Sequence, residues 1–175
     1  MTMANLTIIR NNSGAAGVEM ALMLPLLLVL MFGPFEMANY FWTEHKAIKG
    51  VRDGARYAAR LNFSNFECGA TMCETDTDFE GQVKNLTRTG LVTGGQPSIA
   101  NWVNDDVFVE VMPATSAVDG SVDGSVTTGI YRGLPTAPRV LVSTTVSYTP
   151  LFGLLGFDTS EITVSVSSQA AVMGI

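Results

Sequence analysis

The side chains able to do chemistry are few in this chain, and they are far apart. Its only two cysteines, Cys68 and Cys73, lie in the segment CGATMC, and its one histidine, His45, stands more than twenty positions away. A close cysteine pair can form half of a metal site, but no second Cys or His pair completes it. A local disulfide in an oxidising compartment is the better reading. Its small loop stabilises modestly, because loop-closure entropy grows with loop length. Asp76, Asp78, Asp105 and Asp106 read as solvated loop charges, and no nucleophile–base constellation is visible. The sequence therefore points away from an enzyme and calls for no cofactor.

The remaining chemistry is electrostatic and centres on Glu19. From Ala15 to Phe35 the chain reads AAGVEMALMLPLLLVLMFGPF, 21 residues in which Glu19 is the one charge. An uninterrupted helix of this length covers about 30 Å, the thickness of a bilayer core. An acidic group near the bilayer centre costs about 2.5–3.5 kcal/mol on insertion scales, and less toward the edge. Such a carboxylate calls for a partner. Cleavage after Gly14 would create one, a charged α-amine on Ala15, so that the amine of one subunit could neutralise Glu19 of its neighbour as helices pack. The simpler possibility is that Glu19 sits at the headgroup boundary and reaches water.

The elements that must position these groups follow from periodicity. Residues 1–14 form a polar leader with one positive side chain, Arg10, and the apolar run follows. A core helix would carry a polar stripe, which Met20–Phe35 lacks. A cleaved secretory signal would end at small residues, whereas Gly33-Pro34-Phe35-Glu36 and the cluster Tyr40-Phe41-Trp42 follow here, the latter suited to a membrane interface. Pro25 and Pro34 predict a kink or local unwinding in the helix. From Thr43 to Leu61, Ala47, Val51, Gly54, Ala58 and Leu61 recur at three- and four-residue steps, while Lys49, Arg52, Arg56 and Arg60 occupy another face. The two stretches predict one long helix, its first half suited to lipid and its second to resting on a domain.

Beyond Leu61 the texture changes to Gly, Ser, Thr, Asp and Val. Val107, Val109 and Val111 alternate with Phe108, Glu110 and Met112; Val140 to Tyr148 and Ile162 to Ser167 alternate in the same way. Period-two patterning predicts half-buried strands of an antiparallel sheet, and a helix is expected over Phe79–Thr89. The expected class is α+β, with a leader (1–14), a membrane and amphipathic helix (15–62) and a small β-rich domain (63–175). The repeat VDGSVDGS, residues 118–125, reads as a hairpin tip or loop. Asp123-Gly-Ser125-Val-Thr127 echoes the metal motif of von Willebrand-type domains, but that fold needs a longer chain with alternating helices and strands, so no metal site is assigned. A net charge of −6 excludes the basic surface that nucleic-acid binding requires.

The junction at Gly14 carries a family resemblance. Gly14-Ala-Ala-Gly-Val-Glu19-Met-Ala-Leu-Met-Leu-Pro25, then Gly33 and Glu36, then Val51-Arg52-Asp53-Gly54-Ala55-Arg56-Tyr57-Ala58-Ala59-Arg60, resembles the N-terminal region of TadE-like proteins. These are pilin-like components of tight-adherence (Flp-type) pilus machinery. The likeness spans about residues 10–61; Met20 departs from it, since an aromatic residue is common there. The resemblance implies cleavage by a prepilin peptidase between Gly14 and Ala15, helix packing through Glu19, Pro25, Gly33 and Glu36, and partners among other pilin-like subunits and pilus assembly proteins. It implies a minor pilin or pseudopilin in the bacterial inner membrane, N-terminus cytoplasmic and domain outside, supporting pilus assembly and surface attachment. The C-terminal domain is too large for a major Flp subunit. Charge counting opposes this orientation, because Lys46, Lys49, Arg52, Arg56 and Arg60 flank the far side of the span. The cysteine pair, the ordered helix bearing those charges and the family's orientation outweigh it. The alternative is a permanently anchored envelope protein that keeps residues 1–14 and presents a β-rich binding domain.

Overall fold

The computed structural model describes residues 14–68, 73–75, 77–114, 129–132, 137–153 and 162–174. The chain divides into two units, residues 1–39 and 40–175, and helix α1 (Ala15–Arg60) contributes to both.

In the first unit α1 carries the apolar run. Every residue from Gly14 to Met31 is exposed, including Leu22 at 74% and Val29 at 70%. The helix is unbroken through Pro25 and Pro34, so the local unwinding expected there is not found. A proline removes one ladder bond, to the carbonyl four residues back, and the helical residues on either side hold the geometry.

The second unit is a three-stranded antiparallel sheet carried with the C-terminal half of α1, a second helix and a small hairpin. The sheet has the order β3 (Val107–Ala114), β4 (Ala137–Ser147), β5 (Thr163–Ala171). Its register sets Val111, Val140 and Ala170 in one cross-strand row and Val109, Val142 and Ser168 in the next. A third row joins Val107, Thr144 and Val166. Apart from Ser168 and Ala170, these are the residues the alternation assigned to one face. Val107, Val140, Val142, Thr144, Val146 and Val164 are buried, whereas Phe108, Glu110, Thr145, Ser165 and Ser167 are exposed.

Onto this face the second half of α1 brings Ala47, Val51, Ala55 and Ala58, which join Val107, Val140, Val142, Val146, Val164 and Val172 in one core. The helix ends at Arg60, and Asn62 caps the short 3-10 helix Phe63–Asn65 that follows, its backbone extended and its Oδ1 accepting from the Ser64 amide at 3.0 Å. The chain's last described stretch ties back to the helix end, where the Met173 amide donates to the Ala59 carbonyl at 2.7 Å. That bond satisfies one of the carbonyls a helix C-terminus leaves open.

Helix α2 (Thr77–Thr89) starts two residues before the expected Phe79. Asp78 and Glu80 sit in its first turn, where the helix dipole favours negative charge, and Glu80 pairs with Lys84 at 2.7 Å. Gly90 ends it in a left-handed conformation (φ +78°), its amide donating to the Leu86 carbonyl at 2.8 Å. Residues without a Cβ penalty at positive φ are the usual helix terminators. Ahead of α2, β1 (Phe66–Cys68) and β2 (Cys73–Thr75) form a two-stranded antiparallel pair that the sequence pattern did not announce. The repeat at 118–125, with Asp123, Ser125 and Thr127, and also Asp76, lie outside the described residues.

Candidate functional site: one helix with three faces

Helix α1 holds nearly all the residues singled out from the sequence, and it sorts them by environment. Gly14 precedes it and Ala15 opens it, both exposed. Glu19, Pro25 and Gly33 are exposed on the apolar half, and Glu36 is half-buried. Among the described residues Glu19 has neither an ion pair nor a hydrogen bond. A side chain built on Gly17 or Gly33 would meet nothing within 4 Å. The apolar half thus presents large residues, a bare carboxylate and two open glycines outward.

In the second half the order is reversed. The buried residues there are all small or medium in size, Ala47, Val51, Gly54, Ala55, Ala58 and Ala59. At 3.6 residues per turn, Ala47, Val51, Gly54 and Ala58 fall within a sector of about 60°. Lys49, Arg52, Arg56 and Arg60 fall within about 80° on the opposite side, and all four are exposed. The interface itself is made by two glycines one turn apart. A Cβ on Gly50 would lie 2.2 Å from the Thr87 backbone oxygen and 2.9 Å from Trp102 Cη2. One on Gly54 would lie 2.1 Å from Thr87 Oγ1. Only bare backbone lets the C-terminal turn of α2 come this close. The sequence reading placed Gly54 on the packing face but missed Gly50; its spacing four residues before Gly54 was the available signal.

Two hydroxyls and an indole caught in this packing are satisfied. Thr87 is 1% exposed and donates its hydroxyl to the Val83 carbonyl at 2.8 Å. Trp102, also 1% exposed, donates Nε1–H to Thr144 Oγ1 at 2.9 Å, and Thr144 in turn donates to the Asp106 carbonyl at 2.7 Å. Buried indoles and hydroxyls need such partners. This Trp102–Thr144–Asp106 chain was not read from the sequence. Asp106, read as a loop charge, is partly exposed, and its carboxylate accepts from the Val103 amide at 2.9 Å. Asp78 and Asp105 are exposed.

The aromatic cluster lies where α1 enters the second unit. Phe41 and Trp42 are 50% and 64% exposed, and Lys46 Nζ lies 5.6 Å from the Trp42 ring centroid, within cation–π range. Tyr40 meets Tyr148 edge-on at 5.5 Å. His45 is exposed, and no group of three or more His, Cys, Asp or Glu able to hold a metal occurs among the described residues. Cys68 and Cys73 are not on α1 at all. They face each other as cross-strand partners of β1 and β2.

These features define a class before any comparison. α1 is long and apolar enough to cross a membrane, with a window of mean hydropathy 2.2 of which none is buried. The same helix then serves as the core helix of a small α+β domain, an arrangement consistent with a single-pass, pilin-like membrane protein. Residues 14–56 match the family described as TadE-like protein, about a quarter of the chain. The matched stretch begins at the Gly14 junction, takes in the apolar half and ends on the basic face at Arg56. Over those residues the chain is similar to TadE-like proteins, a likeness that suggests a pilin-like protein associated with a Tad pilus. No curated protein and no solved structure matches the chain.

Proposed function

We propose that the chain is a processed minor pilin-like subunit, a pseudopilin, that supports assembly of a tight-adherence pilus and the surface attachment that depends on it. The observation carrying this reading is the isolated carboxylate of Glu19 on an exposed stretch of apolar helix, five positions beyond Gly14 and inside the TadE-like stretch. An acidic side chain in that setting is costly unless paired. A prepilin peptidase cutting between Gly14 and Ala15 supplies the α-amine that pairs with it on a neighbouring subunit. Pro25, Gly33 and Glu36 belong to the same packing surface, and Gly33 leaves room for the close approach of another helix, as small residues do between membrane helices.

In this reading the protein sits in a bacterial inner membrane with its N-terminus in the cytoplasm and residues 40–175 outside. The cysteine pair agrees with that side. Cross-strand registry of Cys68 and Cys73, with no free cysteine among the described residues, supports a disulfide closing the β1–β2 pair in an oxidising compartment. The protein is a structural partner of other pilin-like subunits and assembly proteins and carries no catalysis of its own.

The test combines processing with one substitution. Intact mass of the protein from its native membranes should give a chain beginning at Ala15. Glu19→Ala should leave membrane insertion intact and reduce piliation. A chain that keeps residues 1–14, together with normal piliation in Glu19→Ala, would instead make it a permanently anchored envelope protein presenting a β-rich domain.

A further inference from the structure

We propose that β5 is a docking edge for a second copy of this chain, the two β5 strands pairing antiparallel about Ser167 so that the two three-stranded sheets join into one. The inference concerns the domain's own sheet and goes beyond the pilin-like reading, on which it does not rest.

The two edges of the sheet are built differently. β3 carries Glu110 and Pro113, and both β2 and α2 lie against it. Charge, proline and covering elements are the usual devices that keep a strand edge from pairing with another chain. β5 has neither charge nor proline: Thr163–Ala171 reads TVSVSSQAA, and its register with β4 runs from end to end without a bulge. Among the described residues β4 is its only strand neighbour.

The hydrogen bonds at its two ends show which backbone groups are free. The Tyr148 amide donates to the Ile162 carbonyl and the Val172 amide to the Pro138 carbonyl, each at 2.9 Å. In an antiparallel ladder successive residues alternate in turning both backbone groups toward one neighbour or the other. Val164, Val166, Ser168 and Ala170 therefore turn theirs to β4, in step with Ile162 and Val172. Thr163, Ser165, Ser167, Gln169 and Ala171 turn theirs outward, and no hydrogen bond among the described residues takes them up. The core-facing side chains along this edge are also incompletely covered. Val166, Ser168 and Ala170 are half-buried, whereas Thr144, Val142 and Val140 beside them on β4 are buried.

What selects a second copy is the order of residues. β5 has its larger core-facing side chains, Val164 and Val166, in its first half and its smaller ones, Ser168 and Ala170, in its second. Antiparallel self-pairing centred on Ser167 sets Val164 against Ala170 and Val166 against Ser168, so that each row meets large with small. The same register sets every outward backbone group opposite another: Ser167 faces its own copy, Ser165 faces Gln169, and Thr163 faces Ala171. A twofold contact places identical strands together, and like charges directly opposite destabilise such a pair. No row of β5 holds a charge.

Cysteine cross-linking of the full chain in detergent micelles reads this register directly. Residues facing each other in a hydrogen-bonded antiparallel pair have Cα atoms about 5.5 Å apart, within the span of a disulfide. With the parent chain as background for Cys68 and Cys73, Ser167→Cys should form linked dimers under mild oxidation several-fold faster than Ser165→Cys or Gln169→Cys alone. A mixture of the latter two should link several-fold faster than either by itself. Ser167 is exposed, so Ser167→Lys should leave the near-ultraviolet signal of buried Trp102 unchanged while converting the dimer seen by native mass spectrometry to monomer. Equal linking at 165, 167 and 169, or a dimer that persists in Ser167→Lys, would place any contact between copies elsewhere and overturn the proposal. A parent chain that is monomeric in the same micelles would overturn it as well.

Discussion

The two halves of helix α1 obey opposite rules. Before Tyr40 the helix exposes large apolar side chains, among them Leu22, Val29 and Leu30 at 63% or more. Beyond Trp42, it buries alanine, glycine and valine and exposes arginine and lysine. In water the first pattern would be a large apolar patch, which soluble monomers rarely carry. The second is the ordinary amphipathic logic of a helix on a core. One continuous element is therefore suited to two solvents, and its composition changes near Tyr40. Side-chain size carries a second lesson. In lipid, bulky residues have no penalty for exposure, so size is unconstrained until another helix arrives. Against α2 and Trp102 the available space is set at Gly50 by the Thr87 carbonyl oxygen and the Trp102 ring and at Gly54 by the Thr87 hydroxyl, so a Cβ has no room at either position.

The largest expected effect breaks the first half alone. Leu27→Arg puts a charge near the middle of the apolar run, with an insertion cost of about 2.5–3.5 kcal/mol for arginine at a helix centre. Membrane-inserted protein should fall sharply, as read by alkaline extraction. Unfolding of the domain, followed through the near-ultraviolet signal of buried Trp102, should be unchanged because Leu27 is 61% exposed and belongs to the other unit.

The second sharpens the contrast by making one substitution in both halves. Gly50→Ala forces a Cβ to within 2.2 Å of the Thr87 carbonyl oxygen. Backbone cannot rotate aside as a side chain can, so the end of α2 must shift. Overpacking of this kind costs about 1–3 kcal/mol, partly offset by the roughly 1 kcal/mol by which alanine exceeds glycine in helix propensity. The domain should lose stability on denaturant titration. Gly33→Ala, where nothing lies within 4 Å, should keep the propensity gain and destabilise nothing. Equal losses at both positions would mean that the α1–α2 close approach is not what holds Gly50.

Much of this was legible in the sequence because the signals were local and periodic. Twenty-one apolar residues with one carboxylate, the three- and four-residue steps from Ala47 to Ala58, and the alternation of β3, β4 and β5 each report the environment of a side chain directly. The α+β class followed from them. What escaped depends on distant pairings. Gly50 has meaning only once Thr87 and Trp102 are known to lie on it, and the Trp102–Thr144–Asp106 hydrogen bonds join residues 38 to 42 positions apart. The β1–β2 pair escaped for another reason: strands of three residues are too short to establish a period. The prolines misled in a specific way, since a proline's missing hydrogen bond predicts local damage but not whether the flanking turns absorb it.

The smallest effect concerns the face that neither half of α1 buries. Arg56 is exposed and has no ion pair among the described residues. Its removal touches no packing, and surface substitutions of this sort stay within about 0.5 kcal/mol. Arg56→Gln should therefore leave the denaturant midpoint of the domain unchanged, as should Lys49→Gln and Arg52→Gln. The informative comparison is with orientation. Five basic residues from Lys46 to Arg60 follow the span and oppose an outside location by charge counting. If folding of this segment against the sheet neutralises that signal, the glutamine variants should show the same protease accessibility of the domain in intact cells as the parent chain. A domain that becomes more accessible in the variants would show instead that the basic face acts on topology, with part of the parent population held on the cytoplasmic side.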